Sequence, residues 1–240
     1  MNRRTYILVL LLVSMITVFG QDQNGTYSFL NSTNSARVAA LGGISIPIYD
    51  SDIQLATYNP SLINSDIDNN MALSYVDYYR DINFGTVQYG KTFEKAGSFV
   101  GTLQFHNYGR FYYAEENGYQ DGSTFTVSDY MFNVGWGRML NDNWTIGANL
   151  KFAGIQYENS SAFALAVDVA GTYKTSDGWC LSLTARNIGY ELYKNYEGDH
   201  SKLPFSMQLG MSKKLEHLPF TFIVVYDNLQ KWNLSYNDPL

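Results

Sequence analysis

The sequence has little charge and almost no cysteine. Only 16% of its 240 residues are Asp, Glu, Lys or Arg, well below the roughly 25% typical of soluble globular domains. A single cysteine, Cys180, excludes an internal disulfide framework and a zinc site built on several cysteines. Basic residues do not cluster beyond Arg3-Arg4, and the formal net charge is −6. Because phosphate binding needs clustered Lys and Arg, the sequence argues against a nucleic-acid partner.

Long apolar runs are absent after the first 20 residues. Before that point, Asn2-Arg3-Arg4 and the apolar stretch 6–18 have the order of a secretory signal peptide, with a suitable cleavage site at Val18-Phe19-Gly20. The apolar stretch is shorter than the ~20 residues that a membrane-spanning helix needs, so a retained anchor is the less favoured alternative. We expect residues 1–20 to be cleaved, which leaves Gln21 as the mature terminus and strands as the means of entering a membrane.

Aromatic residues are abundant, at 16% of the chain with 20 Tyr and 14 Phe. From about residue 70 onward, apolar and polar residues alternate with a period of two, the pattern of β-strands with two unlike faces. In the stretch 144–152, one face has Trp144, Ile146, Ala148, Leu150 and Phe152, and the other has Thr145, Gly147, Asn149 and Lys151. The pattern predicts about nine antiparallel strands, several near the ~10 residues that a tilted membrane strand requires.

The difference between the two faces favours a barrel in lipid. One face is large and apolar, and the other has small or polar residues with charges at Lys151, Asp168 and Arg186. A wet lumen tolerates such residues, whereas the core of a soluble sandwich excludes them. Aromatic residues also gather near predicted strand ends, as they do at membrane–water interfaces. We therefore predict an all-β fold, an antiparallel transmembrane outer-membrane β-barrel over residues 71–240.

The predicted connections alternate between short and long. Tight turns at 94–97, 140–143 and 175–178 alternate with longer, Tyr-rich stretches at 106–128 and 187–203. Outer-membrane barrels have short periplasmic turns and longer outer loops, so this order places the start of the barrel on the periplasmic side. Single-chain bacterial barrels have an even number of strands, and this sequence lacks a terminal amphipathic strand ending in an aromatic. We expect a barrel that is incomplete at its C-terminal end.

Residues 21–70 have a different pattern from the rest of the chain. Ser35 precedes an Ala-rich stretch that ends at Gly42-Gly43, which predicts a short capped helix. Asn59-Pro60 predicts a turn, because a residue before proline is held away from helical geometry. We expect this mixed segment to plug or brace the barrel lumen. The alternative is a loosely ordered periplasmic arm.

The same N-terminal residues resemble the PorV/PorQ family of outer-membrane proteins. The resemblance lies in segments 25–31, 35–43 and 59–62, with similar family segments at 185–189 and 227–232. The motif residues are Ser35, Ala36, Arg37, Ala40, Leu41, Gly42, Gly43, Asn59 and Pro60. The first two segments are more similar to PorQ-like members than to PorV-like ones.

The resemblance implies a barrel related to the FadL fatty-acid transporters that serves the type IX secretion system of Bacteroidota. It also implies partners in the complex that attaches cargo at the cell surface, namely a PorZ-like surface protein and the PorU–PorV pair. The PorQ-like member is not the peptidase of that complex. FadL-type barrels have more strands than the sequence predicts here, which agrees with an incomplete barrel.

Patterns for catalysis and metal binding are not found in the sequence. We interpret His106, His200 and His217 as residues of loops and turns, since none has a second histidine at ligand spacing. Ser98 and Ser128 lie near the strand that bears His106, but no nucleophile-elbow or oxyanion pattern marks them. We expect no enzymatic activity, no cofactor and no metal.

Two hypotheses about function follow. In the first, the outer loops 107–127 and 189–203 bind a secretion-complex partner through their tyrosines, a residue type enriched at protein interfaces. These tyrosines are Tyr108, Tyr112, Tyr113, Tyr119, Tyr193 and Tyr196. In the second, the protein is a FadL-like transporter of a hydrophobic small molecule, with Lys151, Asp168 and Arg186 lining the path. A soluble surface adhesin is a third hypothesis.

Overall fold

The computed structural model describes residues 25–113 and 122–231, which form one antiparallel sheet preceded by short helical segments. The strands are β1 (Met71–Tyr79), β2 (Ile82–Phe93), β3 (Gly97–Tyr112), β4 (Thr124–Met139), β5 (Trp144–Tyr157), β6 (Ser160–Lys174), β7 (Trp179–Lys194), β8 (Ser206–Lys214) and β9 (Thr221–Tyr226). Before them lie the helix α1 (Ala36–Ala40) and 3₁₀ helices at Ser28–Asn31, Ile53–Thr57, Pro60–Leu62 and Ser65–Ile67. The predicted signal peptide, residues 1–20, lies outside the described residues. Among the helices described, none has the length and apolar character needed to cross a membrane.

Each strand pairs in antiparallel register with the next strand along the chain, in the order β1 to β9. The prediction of an all-β fold with about nine antiparallel strands is confirmed by this meander. Within the described ranges, β1 pairs only with β2 and β9 only with β8. The described sheet is therefore not closed into a barrel.

The two faces of the sheet bury the opposite residue types from those of a soluble protein. In β5, Thr145, Asn149 and Lys151 are buried, while Trp144 and Leu150 are exposed. Large exposed apolar residues on the other strands include Leu73, Leu103, Tyr130, Phe132, Leu183, Leu209 and Phe222. The polar face is therefore the inner face of the sheet, and the apolar face is the outer one.

Several strands are longer than the sequence predicted. β3 continues to Tyr112, β4 begins at Thr124 and β7 continues to Lys194. Residues 107–112, 124–127 and 189–194 of the predicted loops are therefore strand, and the structure shortens both loops to 113–123 and 195–205.

The prediction that short and long connections alternate is wrong. One end of the sheet has the connections 113–123 and 195–205, but also the two-residue turns 80–81 and 158–159. Each of these two turns includes a residue with positive φ, as tight hairpin turns require. We refer to this end as the loop end. We refer to the opposite end, which has the connections 94–96, 140–143, 175–178 and 215–220, as the turn end.

Irregular strand pairing explains the errors in the strand boundaries. The pairing of β3 with β4 shifts register between Asn107 and Arg110, and β6 with β7 shows two further shifts. A β-bulge adds one residue to a strand, so the period-two pattern changes phase within the strand. Beyond the first bulge, Phe111 and Phe125 stack with ring centroids 5.4 Å apart. The strands thus continue through sequence that no longer matches a single alternating pattern.

Residues 25–70 lie against the inner face of the sheet. Phe29 and Leu30 are buried in a cluster that includes Met131 of β4 and Ala164 of β6. A second cluster joins the 3₁₀ segments of this region to the inner side of β3. Apolar contacts therefore attach the N-terminal segment to a face that is otherwise polar.

The short helix predicted in this segment lies at Ala36–Ala40. The Ser35 side-chain oxygen accepts a hydrogen bond from the Val38 backbone N–H at 3.3 Å, as an N-cap residue does. Gly42 and Gly43 follow with φ of 92° and 84°. Side chains with a Cβ rarely adopt this conformation, so the two glycines allow the chain to turn away from the helix.

Two glycines on the inner face let the N-terminal segment approach the sheet closely. A Cβ on Gly147 would lie 2.3 Å from the carbonyl of Pro60, and a Cβ on Gly137 would lie 2.4 Å from the carbonyl oxygen of Ile63. Such distances are too short for non-bonded atoms. The turn that follows Asn59 therefore packs directly on the bare backbone of β4 and β5.

We expect Gly147→Ala to destabilise the folded protein. The added methyl group meets the Pro60 backbone and forces the turn away from β5, at a cost of about 1–3 kcal/mol in the free energy of unfolding. Urea unfolding of the refolded protein, followed by tryptophan fluorescence, measures this change. Gly154→Ala on the same strand is the control, since nothing lies within 4 Å of its Cβ position. Equal stability of the two variants would contradict the close approach.

Candidate functional site

The inner face of the sheet and residues 25–70 share a hydrogen-bonded interior. Gln88 Nε2 of β2 donates to Thr57 Oγ1 at 3.0 Å. Asn149 Nδ2 of β5 donates to the carbonyl of Ala56 at 3.2 Å. These bonds satisfy polar groups that burial removes from water. The N-terminal segment therefore supplies hydrogen-bond partners for several side chains of the polar face.

Asn59 is the centre of this interior and is fully buried. Its Nδ2 donates to the Ile46 carbonyl at 2.7 Å and to Thr172 Oγ1 of β6 at 3.3 Å. Its Oδ1 accepts from the backbone N–H of Ser61 at 3.0 Å and from the hydroxyl of the same residue at 2.6 Å. Together with Pro60, which packs on Gly147, this residue joins the N-terminal segment to the sheet. The sequence singled out both residues through the turn predicted at Asn59-Pro60 and through the family resemblance.

A buried ion pair joins β5 and β6 on the same inner face of the sheet. Lys151 Nζ of β5 is 2.7 Å from Asp168 Oδ2 of β6, and both side chains are completely buried. Lys151 also donates to Asn187 Oδ1 at 2.9 Å. The carboxylate accepts from Asn149 Nδ2 at 3.0 Å and from the Asn187 backbone N–H at 2.8 Å. These additional bonds offset part of the desolvation cost of the two charges.

Arg186 adds a third charge beside this pair. Its guanidinium carbon lies 5.8 Å from the ring centroid of Tyr58, and Nη2 donates to the Leu30 carbonyl at 3.5 Å. Its Nε has no hydrogen-bond partner among the described residues. Lys151, Asp168 and Arg186 thus face inward, but the N-terminal segment covers them.

Asn187 is a site residue whose role the sequence did not reveal. It is fully buried, and its φ of 57° lies in the left-handed region. Its Nδ2 donates to Asn31 Oδ1 at 2.9 Å and to the Pro204 carbonyl at 3.0 Å. One side chain therefore links the ion pair, the N-terminal segment and the connection before β8. The available signal was an asparagine between Arg186 and an apolar residue, because asparagine tolerates positive φ better than most residues.

The structure corrects the interpretation of His106 as a loop residue. It lies on β3, where its ring stacks on Phe84 with centroids 5.0 Å apart and meets Phe29 edge-on at 5.8 Å. Its Nε2 is 3.1 Å from Ser32 Oγ and 2.8 Å from Gln104 Nε2. The imidazole therefore belongs to the packed interior, between the sheet and the N-terminal segment.

Arg37, one of the motif residues, pairs with two carboxylates. Nη2 lies 2.5 Å from Asp50 Oδ2, and Nη1 lies 3.0 Å from Asp52 Oδ2. The hydrogen bond to Asp50 raises the pKa of Arg37, and the one to Asp52 raises it further. The Arg37 side chain is 43% exposed, so solvent screens both pairs. Within residues 25–113 and 122–231, no group of three or more His, Cys, Asp or Glu is placed to hold a metal ion.

The remaining motif residues from Ser35 to Gly43 lie in α1 or directly beside it. Ser35 Oγ donates to Gln54 Oε1 at 3.1 Å, which links the helix to the 3₁₀ segment beside it. Ala36, Ala40 and Leu41 are exposed. The motif is therefore divided between an exposed helix and the buried turn at Asn59-Pro60. The structure does not bring its residues together into one ligand site.

Glu191 of β7 joins several segments at the loop end. Its Oε1 accepts from the hydroxyls of Tyr27 at 2.9 Å and Tyr196 at 2.8 Å. Its Oε2 accepts from the Ser201 backbone N–H at 3.0 Å and lies 3.1 Å from His200 Nδ1. Burial raises the pKa of Tyr27, and the hydrogen bond to Glu191 raises it further, so the phenol stays protonated and donates. Sequence analysis missed Glu191, although an acid between Tyr190 and Tyr193 was a visible signal.

Two of the tyrosines predicted to contact a partner lie on the outer face. Tyr112 and Tyr193 lie on β3 and β7 rather than in loops, and they are 62% and 57% exposed. Tyr119 lies outside the described residues.

The other three predicted tyrosines are held by acidic side chains. The Tyr108 hydroxyl, on β3, donates to Asp129 Oδ2 at 2.7 Å. The hydroxyl of Tyr113, just after β3, donates to Glu158 Oε1 at 2.5 Å. Tyr196 lies in the connection 195–205 and donates to Glu191. The six tyrosines therefore do not form a single loop surface.

An open cavity of about 600 Å³ lies at the loop end, between the start of the N-terminal segment and strands β3 to β6. Phe111, Val127 and Ile155 form apolar walls, and Tyr108 and Asp129 contribute polar groups. Cavities of this volume are in the range that binds small molecules.

Together, the fold and its interior define a class of protein: an antiparallel β-meander with an apolar outer face and a polar inner face that an N-terminal segment covers. In comparisons with known proteins, no family model matches the chain and no curated protein matches it. The class therefore rests on the distribution of side chains and on the hydrogen bonds of the interior.

We expect Lys151→Met to destabilise the protein strongly. The substitution leaves the Asp168 carboxylate buried without its cation, which costs about 3–5 kcal/mol in the free energy of unfolding. Asp168→Asn added to Lys151→Met removes the uncompensated charge and is expected to restore part of that loss. A double-mutant cycle from urea unfolding measures the coupling. Strictly additive effects of the two substitutions would show that the pair contributes nothing as a pair.

Proposed function

We propose that this protein is an outer-membrane β-barrel whose apolar face contacts lipid. The observation that carries the proposal is the inverted sheet, in which Leu150 is exposed while Asn149 and Lys151 are buried. In a bilayer, outward apolar groups are favourable and polar groups lie inside. Water-soluble monomers rarely expose so extensive an apolar surface.

Closure of the barrel follows from the same physical argument. Each unpaired backbone group costs several kcal/mol in the hydrocarbon core of a bilayer. β1 and β9 present such edges in the described part of the chain. We therefore propose that further strands pair with both edges in the membrane.

The connections support one orientation in the outer membrane. The turn end has the tight connections 94–96, 140–143 and 175–178, and the loop end has the two longest, 113–123 and 195–205. Outer-membrane barrels keep short turns on the periplasmic side and longer loops outside. In this orientation the cavity and the Glu191 cluster face the cell exterior.

We propose further that the barrel is a non-enzymatic component of the type IX secretion system. The support is the resemblance of segments 35–43 and 59–62 to the PorV/PorQ family. Segment 59–62 packs on β4 and β5, and its Leu62 shares a buried cluster with Val38 of α1. In this role the loop end anchors partners of the cargo attachment complex, a PorZ-like surface protein and the PorU–PorV pair.

A FadL-like transporter of a hydrophobic small molecule is the second candidate, and the loop-end cavity is the observation that favours it. A molecule that moved inward from the cavity would meet the N-terminal segment, which covers the charged side chains Lys151, Asp168 and Arg186. Transport therefore requires residues 25–70 to move aside. An uptake defect without a secretion defect after gene deletion would favour this candidate over the first.

A lysine on the outer face tests the contact with lipid. Leu150 lies in the middle of β5 on the outer face, and Leu140 lies in the turn before β5. We expect Leu150→Lys to reduce the free energy of folding into lipid vesicles by about 2–4 kcal/mol, because the charge enters the bilayer midplane. Leu140→Lys is the matched control and is expected to have a small effect.

Folding is measured by the heat-dependent mobility shift of the protein on gels and by protease protection in vesicles. If both lysine variants fold equally well in water without lipid, the outer face does not contact a bilayer. The soluble surface adhesin then becomes the better description.

The secretion role predicts that Tyr112 and Tyr193, which lie at the loop end of β3 and β7, contribute to partner binding there. We expect the double variant Tyr112→Ala/Tyr193→Ala to co-purify less of the secretion components than the wild type does, when tagged barrels are isolated from solubilised outer membranes. Trp179→Ala, at an exposed residue of the turn end, is the control and is expected to keep them. Wild-type protein that co-purifies no secretion component would reject the scaffold role.

A further inference from the structure

Among the described residues that line the loop-end cavity, one side chain is charged, and it is acidic. Asp129 of β4 lines the cavity and is 4% exposed. The hydroxyl of Tyr108 donates to its Oδ2 at 2.7 Å. None of the described residues that line the cavity is Lys, Arg or His. Within the described wall, the electrostatic character of the site therefore comes from a single carboxylate.

The environment of Asp129 differs from that of Asp168, a buried carboxylate on β6. Asp168 has the Lys151 ammonium 2.7 Å away. Among residues 25–113 and 122–231, Asp129 has no ion-pair partner, and its hydrogen bond is to a neutral phenol. Removing a carboxylate from water without a cation is costly. A cationic ligand in the cavity would supply the missing partner.

Most of the remaining wall is apolar, although Thr26 and three serines also line the cavity. Val127, Ile155 and Ala162 form an aliphatic surface, and Phe111 and Tyr157 add aromatic rings. The bulge between Asn107 and Arg110 changes the phase of β3, which places Phe111 on the cavity side. Aromatic rings attract cations as well as apolar groups, because the face of the ring carries negative potential.

We propose that this cavity binds an organic cation, an ammonium group carried on a small aromatic or aliphatic body. The ammonium group pairs with Asp129, and the body packs between Phe111, Val127 and Ile155. A carboxylate ligand of the same shape is repelled by the same acid. The inference deepens the second candidate function by naming the charge of the small molecule, and it is independent of the secretion role.

Isothermal titration calorimetry on the purified full-length protein in a non-ionic maltoside detergent tests the proposal. The probes are phenethylammonium, its neutral analogue 2-phenylethanol and the anion 3-phenylpropionate, which share one aromatic body. We expect saturable binding of the ammonium, at least about tenfold weaker binding of the alcohol and no binding of the carboxylate, as expected for the loss of a charge-assisted bond.

Three variants make the test specific to this cavity. Asp129→Asn keeps an acceptor for the Tyr108 hydroxyl but removes the charge, so we expect binding of the ammonium to weaken about tenfold or more. Asp81→Asn removes the same charge from the exposed turn 80–81 at the same end and is expected to bind like the wild type. Val127→Trp fills the cavity and is expected to abolish binding. A heat-dependent mobility shift equal to that of the wild type shows that each variant is folded.

Absence of saturable binding of phenethylammonium, equal affinity for the ammonium and the carboxylate, or unchanged affinity in folded Asp129→Asn would each overturn the proposal. Binding here requires neither transport nor a secretion partner. Failure of ligand binding is therefore distinguishable from failure of either proposed function, since uptake and co-purification are measured separately in cells.

Discussion

The structure depends on the pairing of a polar inner face with residues 25–70. A sheet whose inner face carries Gln88, Asn149 and Asp168 cannot form a dry core by itself, because each buried polar group needs a partner. The N-terminal segment supplies partners for Gln88 and Asn149, among them the backbone carbonyl of Ala56 in a 3₁₀ turn, while Asp168 is paired with Lys151 on the neighbouring strand. The polar face and the irregular segment therefore stabilise each other.

This constraint accounts for features that look unrelated along the sequence. Glycine is needed at Gly137 and Gly147 because the Asn59 turn must reach the backbone of the sheet. The buried Lys151–Asp168 pair is tolerable because Asn149 and Asn187 complete its hydrogen bonds. On the outer face, where no segment supplies partners, the side chains are apolar. On both faces, polar side chains therefore occur where hydrogen-bond partners are available.

Much of the architecture could be predicted from the sequence, because a period of two is a local pattern. It predicted the nine strands and identified the polar face of β5, with Asn149 and Lys151 on one side. The bulge between Asn107 and Arg110 was not visible, so the orientations of Tyr108 and Tyr112 and the length of β3 could not be predicted. The bond between Asn59 and Thr172 joins residues 113 apart in the chain, and no local pattern encodes such a contact.

The filled interior also bears on how the two candidate functions relate to each other. Displacing residues 25–70 would leave Gln88 and Thr172 without their partners Thr57 and Asn59, and water would have to replace them. A scaffold gains from such a rigid interior, because its loop end then presents a fixed surface. The loop-end cavity lies beside the start of the segment, at Gly25, so a ligand can occupy it while the interior stays intact. Ligand binding and a scaffold role are therefore compatible in one molecule, whereas passage of a ligand along the inner face of the sheet requires the interior to open.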